Sequence, residues 1–326
     1  MTWPTAVPSL AGDDVAVDPV TAFQSMASTV NVRLGCRARP ADRVFGSVMA
    51  VFGEVEAQCT RFDPMSPLMQ ANATANDWCV VPPRCYSAIR EAALAYEATG
   101  GRFDPRILRA LQSIGYDRSL PFARGPVVVD EGAPFIGVST MWQPGFDEEQ
   151  GAVRVGPIPI DLGGIGKGLA LRWAVDQIRD DCDAFLIEAG GDCYLAGNGP
   201  SGTGWQVAVE DPCESPSPVA VLTLRDMACA TSSTGIRHWM SGGRSVHHII
   251  DPRTGAPGGP GLRSVTVVGA DPAMNEVWSK VLFLSGRDGI AEAAARHELP
   301  ALWVADDGAV AMSPRMAPFV IWQRAS

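Results

Sequence analysis

The chain has 326 residues, enough for one large domain or two smaller ones, and its 46% of hydrophobic residues is typical of a folded core and excludes a disordered chain. The 26 Lys and Arg residues against 36 Asp and Glu residues give a formal charge of −10, which argues against general nucleic-acid binding, because that function needs cations that neutralise phosphates. No apolar stretch is long enough to cross a bilayer, so we expect no membrane insertion. The first residues lack the basic start and continuous apolar segment of a signal peptide, so we expect a cytoplasmic protein.

The eight cysteines are spread along the chain, and none forms the C-x-x-C spacing of a zinc ribbon. This pattern favours reduced thiols, although an even number of cysteines leaves disulfides open.

Composition and periodicity predict the elements in chain order. Residues 1–22 are rich in Pro, Ala and Asp, which predicts a loose N-terminal arm before a single domain over residues 23–326. The patterns then predict a strand over 28–37, helices over 41–58 and 83–99, short strand-like pieces over 126–160, a helix over 166–179, strands over 184–188, 205–210, 219–224, 245–250 and 263–268, helices over 272–285 and 289–296, and strands near Leu302 and Val310. The hydroxyl-rich segment 230–239 is predicted to lead into a helix, and the Pro/Ser patch 213–218 to form a hairpin loop. Because helices and strands mix without a regular βαβ alternation, we predict an α+β fold.

A glycine-rich segment, DLGGIGKG at residues 161–168, enters a predicted helix directly. Such a turn offers backbone N–H groups and a helix N-terminus beside the ammonium of Lys167, which suits a phosphate. The segment matches neither the P-loop nor the dinucleotide-binding glycine spacing, so a tight strand-to-helix turn without a ligand explains it equally well.

The rarity of two residue types is informative. The only lysines are Lys167 and Lys280, against 24 arginines, which suggests sites where a compact ammonium is needed. Histidines are also few, and three of the four lie between His238 and His248.

The motifs together resemble one family. In chain order they are STV-VRL, T-DP-S-L-N, FDP, DLGGIGKG, EAGGD, ATSS and HHIIDPRTG, followed by a helix that ends in LFLSG. Their identity and order resemble the FAD:protein FMN transferases, the ApbE family, from Met26 to about Gly286. The resemblance implies an α+β fold with a T-fold-like sheet arrangement and an FAD cleft between two lobes. It also implies a transferase that attaches FMN from FAD to a Thr or Ser of a target flavoprotein and releases AMP.

The resemblance also implies site residues, carried over position by position. The FAD contacts would come from Met26, Phe62, Arg102, Phe103, Asp104, Asp161, Lys167 and Val246. Lys167 would neutralise charge on the leaving AMP. We expect His248 to be the general base, because of its ordinary pKa, and strand alternation would point the neighbouring His247 the other way.

The sequence departs from the family at the magnesium site. There the resemblance implies Mg²⁺ held by a main-chain oxygen at Gly164 and by an Asp and a Thr on the helix near the C-terminus. Those two positions are Glu276 and Lys280 here, spaced i and i+4 as in a helical ion pair. Lys280 therefore either replaces the metal or points elsewhere and leaves Glu276 as a ligand, so the need for Mg²⁺ stays open.

Three functions remain as hypotheses at this stage. The leading one is FMN transfer to a target protein. The second is hydrolysis of FAD to FMN and AMP, with water in place of the protein hydroxyl. The third is FAD binding without catalysis, which the altered metal position keeps open.

Overall fold

A computed structural model describes residues 18–35, 40–118, 137–213, 215–235, 237–241 and 243–324. The described residues form seven α-helices: α1 (Ala41–Cys59), α2 (Pro67–Thr74), α3 (Pro83–Ala98), α4 (Leu108–Ser113), α5 (Gly166–Ile178), α6 (Pro272–Phe283) and α7 (Gly286–Arg296). A short 3-10 helix covers Ala317–Phe319.

The strands, in chain order, are β1 (Val20–Ser25), β2 (Ser28–Leu34), β3 (Cys79–Val80), β4 (Gly145–Asp147), β5 (Ala152–Arg154), β6 (Phe185–Ala189), β7 (Asp192–Ala196), β8 (Trp205–Val209), β9 (Ala220–Leu224), β10 (Met227–Ser233), β11 (His238–Ser241), β12 (Arg244–His247), β13 (Ile250–Asp251), β14 (Ala256–Pro257), β15 (Leu262–Gly269), β16 (Ala301–Ala305), β17 (Val310–Met312) and β18 (Val320–Gln323).

The main sheet has eight strands in the order β1-β2-β6-β7-β10-β15-β16-β17, and every neighbouring pair is antiparallel. Three-stranded sheets, β18-β9-β8 and β3-β5-β4, and the ribbons β11-β12 and β13-β14 complete the described part. The α+β prediction is confirmed, whereas the division into two lobes and the single domain over 23–326 stay predictions.

Apolar periodicity explains how helices cover the sheet. Val30, Val32 and Leu34 alternate along β2 and are buried, while α1 buries a stripe that includes Val44, Val48, Phe52 and Val55. Helix α5 packs between α1 and α6, and α6 lies on β10 and β15. The first turn of α5 is thereby fixed against the start of α6.

Three element predictions are wrong. The arm is shorter than 1–22, because β1 begins at Val20 and pairs with β2 through the register Val20–Arg33; residues 1–17 lie outside the described part. The hydroxyl-rich segment does not start a helix, because its first residues end the central strand β10. The strand predicted over 245–250 is interrupted after His247, since β12 pairs with β11 whereas β13 pairs with β14.

The cysteine prediction holds for six residues and fails for one. Cys59, Cys79, Cys85, Cys193, Cys213 and Cys229 are free thiols. Cys182 is disulfide-bonded, which the even cysteine count left open. Among the described residues no helix combines the length and the apolar sequence that a membrane span requires.

Candidate active site

The elements that carry the predicted motifs meet around one cleft. Its empty space is about 1250 Å³, a figure that includes open solvent at the mouth of the cleft. Its lining contains most of the predicted site residues: Met26, Phe62, Arg102, Phe103, Asp104, Asp161, Gly164, Lys167, His248 and Lys280.

Met26 enters the cleft from a strained turn. It and Ala27 form the two-residue connection between β1 and β2, and both have positive φ angles, 52° and 56°. Such angles match the twist of a tight hairpin but are unfavourable for residues other than glycine. Glu56 of α1 holds the turn, because its carboxylate accepts from Met26 N and from Ser25 Oγ, each at 2.9 Å. The Met26 side chain is thereby fixed beside Gly166.

The FDP loop forms part of the cleft, and the carboxylate of its Asp104 is ion-paired within the loop. Both oxygens of Asp104 accept hydrogen bonds from Arg106, at 2.9 Å and 2.7 Å, and both residues are buried. Phe103 packs against Gly164, where an added Cβ would lie 2.9 Å from the Phe103 ring. The structure thus places Asp104 at the cleft in an ion pair with Arg106.

The glycine-rich turn has fewer open amides than its sequence suggests. Gly163 N donates to Asp161 Oδ1 at 2.9 Å, Gly166 N donates to Leu162 O, and Gly168 N donates to Glu276 Oε2 at 2.8 Å. Gly168 also lies against α6, since an added Cβ would be 2.5 Å from the Cα of Ala273. A serine or threonine, which a P-loop has at this position, would not fit.

Lys167 extends from the first turn of α5 into the cleft. Its ammonium forms an ion pair with Oδ2 of Asp192, whose Oδ1 accepts from Thr231 N on β10. Burial lowers the pKa of Lys167 to about 8; Glu276 acts in the opposite direction, and Lys280 and Arg237 add to the lowering. The group is therefore a cation at neutral pH that is close to losing its proton.

The predicted pair on α6 is formed. Lys280 Nζ lies 3.1 Å from Glu276 Oε1, and only 1% of the Glu276 side chain is exposed. Burial tends to raise the pKa of Glu276, but Lys280, Lys167 and the Gly168 amide outweigh it and the pKa lies below its ordinary value. Both carboxylate oxygens are engaged, and the alkyl chain of Lys280 lies beside Gly164.

His248 lies in the cleft, and its neighbour does not. The chain bends after β12, so His248 faces the cleft whereas His247 lines a separate depression and contacts the Phe283 ring edge-on at 5.9 Å. Burial, with the charges of Arg237 and Lys280, holds the pKa of His248 well below its ordinary value. Its Nδ1 is 3.4 Å from the carbonyl oxygen of Arg237. A proton on Nδ1 would leave Nε2 as a free acceptor.

The structure does not bring Val246 into the cleft. Val246 pairs with Trp239 in the β11-β12 ribbon and packs with the cluster that includes Leu111 and Tyr116. It also lines the separate depression near His247. Leu111 and Tyr116 belong to the lining of the cleft, whereas Val246 itself does not, so the FAD contact at Val246 stays a prediction.

Three site residues were not predicted from the sequence. Asp192, the partner of Lys167, lies in the EAGGD motif, and Arg237 follows the ATSS motif, so both motifs were noted without these roles. Arg61, whose Nε is 2.9 Å from Asp161 Oδ2, belongs to the first of two RFDP sequences. The sequence signal that could have identified Arg61 as a site residue is its position next to Phe62, a predicted FAD contact.

The cleft therefore joins three chemical features. Lys167, Lys280 and Arg237 supply positive charge, the imidazole of His248 is neutral at physiological pH, and Phe62, Phe103 and Tyr116 supply aromatic surface. This set can bind an anion such as a diphosphate, accept a proton and pack against planar rings.

The chain is similar to characterised families along most of its length. The ApbE family model matches residues 26–303. FAD:protein FMN transferases of Klebsiella pneumoniae and Chlamydia trachomatis are 29% and 28% identical over 161 and 211 residues, which is 47% and 64% of this chain and 48% and 64% of those relatives. One of Haemophilus influenzae is 22% identical over 287 residues, 85% of this chain and 83% of that protein.

Two solved structures share the fold. The ApbE protein of Thermotoga maritima superposes with a TM-score of 0.79 at 24% identity and covers 94% of this chain and all of its own. The flavin transferase ApbE of Vibrio cholerae gives a TM-score of 0.73 at 20% identity, over 93% of this chain and 99% of its own.

Proposed function

The chain belongs to the ApbE family, and from that premise we propose that it transfers FMN from FAD to a Thr or Ser hydroxyl of a target flavoprotein and releases AMP. The observation that carries the proposal is the meeting of Lys167, Lys280 and His248 with an aromatic wall in one cleft. A diphosphate flanked by two ring systems matches these features.

The proposed reaction is a phosphoryl transfer. The oxygen of the target hydroxyl forms a bond to the phosphorus on the FMN side, and the bridging P–O bond breaks with its electron pair going to AMP. Nε2 of His248 takes the proton of the hydroxyl, because the neutral imidazole forms no ion pair, whereas Asp161 and Asp104 of the lining are each paired with an arginine. Lys167 and Lys280 stabilise the charge that moves onto the AMP phosphate.

The flavin side of the ligand is proposed to lie against Met26 and Phe62. Phe62 is partly exposed although it is a large apolar side chain, and Met26 is held rigidly by Glu56. Arg102, of which the guanidinium is half-buried at the cleft, is proposed to contact a phosphate or ribityl oxygen.

The residues present do not fit the magnesium ion that the family implies. Mg²⁺ requires several oxygen ligands in octahedral geometry, but the family's threonine position carries the ammonium of Lys280, which is no ligand and donates to Oε1 of Glu276. In the described part of the chain no group of three or more His, Cys, Asp or Glu residues is arranged to hold a metal.

We propose instead that the Lys280 ammonium supplies the positive charge at this position. A divalent ion beside an ammonium would be repelled strongly in a partly buried site. The Lys280 side chain is 18% exposed at the cleft, so its charge can reach a phosphate there. Glu276 holds the ammonium in place from one helical turn earlier.

The purified protein incubated with FAD tests the function. Release of AMP, together with transfer of flavin fluorescence to a peptide carrying a D-x-x-[ST]-G-A-[ST]-like motif, is the expected result. AMP and FMN formed without labelling of the peptide would favour the hydrolase, and FAD bound without AMP release would favour the non-catalytic alternative.

The target protein is proposed to be a flavoprotein reached in the cytoplasm. The six free thiols among the described residues support a reducing compartment, and the disulfide at Cys182 argues against one. The location can be decided in cells by confining this protein either to the cytoplasm or to an oxidising compartment and measuring in which case the target flavoprotein is labelled.

A further inference from the structure

Arg61 is held rigidly at the wall of the cleft. Its side chain is only 6% exposed, its Nε is 2.9 Å from Asp161 Oδ2, and its Nη1 donates to the carbonyl oxygen of Tyr116 at 2.5 Å. The guanidinium carbon is 4.3 Å from the ring centroids of both Phe62 and Tyr116. These contacts fix the plane of the guanidinium, so the directions of its remaining N–H groups are fixed as well.

One nitrogen of this guanidinium has no hydrogen-bond partner. Among the described residues, Nη2 of Arg61 is the one buried side-chain nitrogen or oxygen without a hydrogen-bond partner. A buried unsatisfied donor on a charged group is costly, and native proteins rarely keep one without a function. Because Arg61 lines the cleft, a ligand bound there can supply the missing acceptor.

The surroundings restrict the chemistry of that acceptor. Asp161 already neutralises the guanidinium, and its other oxygen accepts from Gly163 N. A second anion at Nη2 would be repelled by Asp161, so a neutral acceptor is favoured. The neighbouring Phe62 ring is 5.9 Å from the buried Tyr116 ring at their centroids, and because Phe62 is exposed it can offer a face for a planar ring. A carbonyl oxygen in the plane of a heteroaromatic ring meets both requirements.

We infer that Arg61 is a specificity-determining residue that donates from Nη2 to a ring carbonyl oxygen of the flavin. This inference rests on the proposed function, which places the flavin against Phe62. Arg61 thereby distinguishes the flavin half of FAD from the adenine half, which has no carbonyl oxygen.

Ligand affinities of Arg61→Lys test this inference. Lysine keeps the charge beside Asp161 but loses the planar second donor. The dissociation constants for FMN and FAD should both rise by about tenfold or more, as expected for loss of a charge-assisted hydrogen bond, while that for AMP stays within about twofold. Arg84→Lys is the matched control, because Arg84 is also ion-paired and lies 4.9 Å over the ring of Trp173, outside the cleft. It should leave all three affinities unchanged.

A second measurement does not depend on the folding of a variant. FMN analogues in which either ring carbonyl oxygen is replaced by sulfur, a weak acceptor, are bound to the unsubstituted protein. One of the two should bind about tenfold more weakly than FMN. Equal binding of FMN and both analogues, unchanged flavin affinity in Arg61→Lys, or an equal loss for AMP would each overturn the inference. If the unsubstituted protein binds AMP but neither FMN nor FAD, the proposed function itself fails.

Discussion

Nζ of Lys280 lies 3.1 Å from Oε1 of Glu276, one turn earlier on α6, in a pair of which the carboxylate is buried and the ammonium side chain is 18% exposed. The same carboxylate receives the Gly168 amide from the first turn of α5. Glu276 therefore joins the two helices that carry the only lysines of the chain. The pair has the geometry of an ordinary helical ion pair. Because it lies at the cleft, its ammonium can also interact with a ligand bound there.

Removal of the Lys280 charge should make the protein depend on an added cation. We expect AMP release from FAD by the unsubstituted protein to stay within about twofold in excess EDTA. Lys280→Thr should lower the rate in EDTA by about 100-fold or more, the typical effect of losing one group that stabilises transition-state charge. The rate of AMP formation, followed by chromatography, gives the result.

The control breaks an equivalent pair away from the cleft. Arg296 and Glu292 form an exposed i,i+4 pair on α7, so Arg296→Thr should leave the rate unchanged. Strong stimulation of the unsubstituted protein by Mg²⁺ would show that Lys280 does not replace the ion.

The two adjacent histidines should differ sharply when each is replaced by alanine. His248→Ala should lower FMN transfer by about 10²–10⁴-fold, the usual contribution of a general base, because His248 faces the cleft. His247→Ala should keep most of the activity, since His247 contacts Phe283 in a separate depression. Transfer to a target peptide is measured for both variants, and activity lost at 247 but kept at 248 would reverse the assignment.

Local patterns predicted five of the seven described helices, and the short helices α2 and α4 were missed. The apolar stripe of α1 and the alternation of β2 follow directly from burial on one face, and Asp271 caps α6 through its side chain. Strand β10 was missed, because a central strand with polar Thr and Ser at its end lacks clear alternation. Its hydroxyls are satisfied by partners distant in sequence, as in the 2.7 Å contact between Ser232 and Ser279.

Sequence reasoning identified those residues of the cleft that are rare in the chain or belong to a distinctive motif. It did not identify interactions between residues that are distant in the sequence. Lys167 and Lys280 were found through their rarity, and His248 through its motif. The hydrogen bonds from Arg106 to Asp104 and from the Gly168 amide to Glu276 depend on the packing of loops and helices, which no sequence spacing encodes.

Two glycine substitutions should have opposite effects on stability. In Gly168→Ala the added Cβ would lie 2.5 Å from the backbone of α6, so the free energy of unfolding should fall by about 1–3 kcal/mol. Gly53→Ala is the control: Gly53 lies within α1 with open space around it, and alanine should raise stability by about 0.5–1 kcal/mol. Denaturant unfolding measures both, and equal stability of Gly168→Ala and the unsubstituted protein would contradict the close contact of α5 and α6.

The pH dependence of kcat/KM for FAD should show a falling limb near pH 8 and no limb near pH 6.5. The alkaline limb arises because Lys167 must be a cation to stabilise the leaving phosphate, and its pKa of about 8 means that it loses its proton above that pH. The acid side stays flat through pH 6.5, because His248 acts as a base in its neutral form and its pKa lies well below the ordinary value. At low substrate concentration kcat/KM reports the free protein, to which these pKa values apply.

Lys167→Arg provides the control: arginine stays charged throughout, so any activity it retains should lose the limb near pH 8. A limb that persists near pH 8 in Lys167→Arg would assign it to another group, and a limb near pH 6.5 that disappears in His248→Ala would mean that His248 keeps its ordinary pKa.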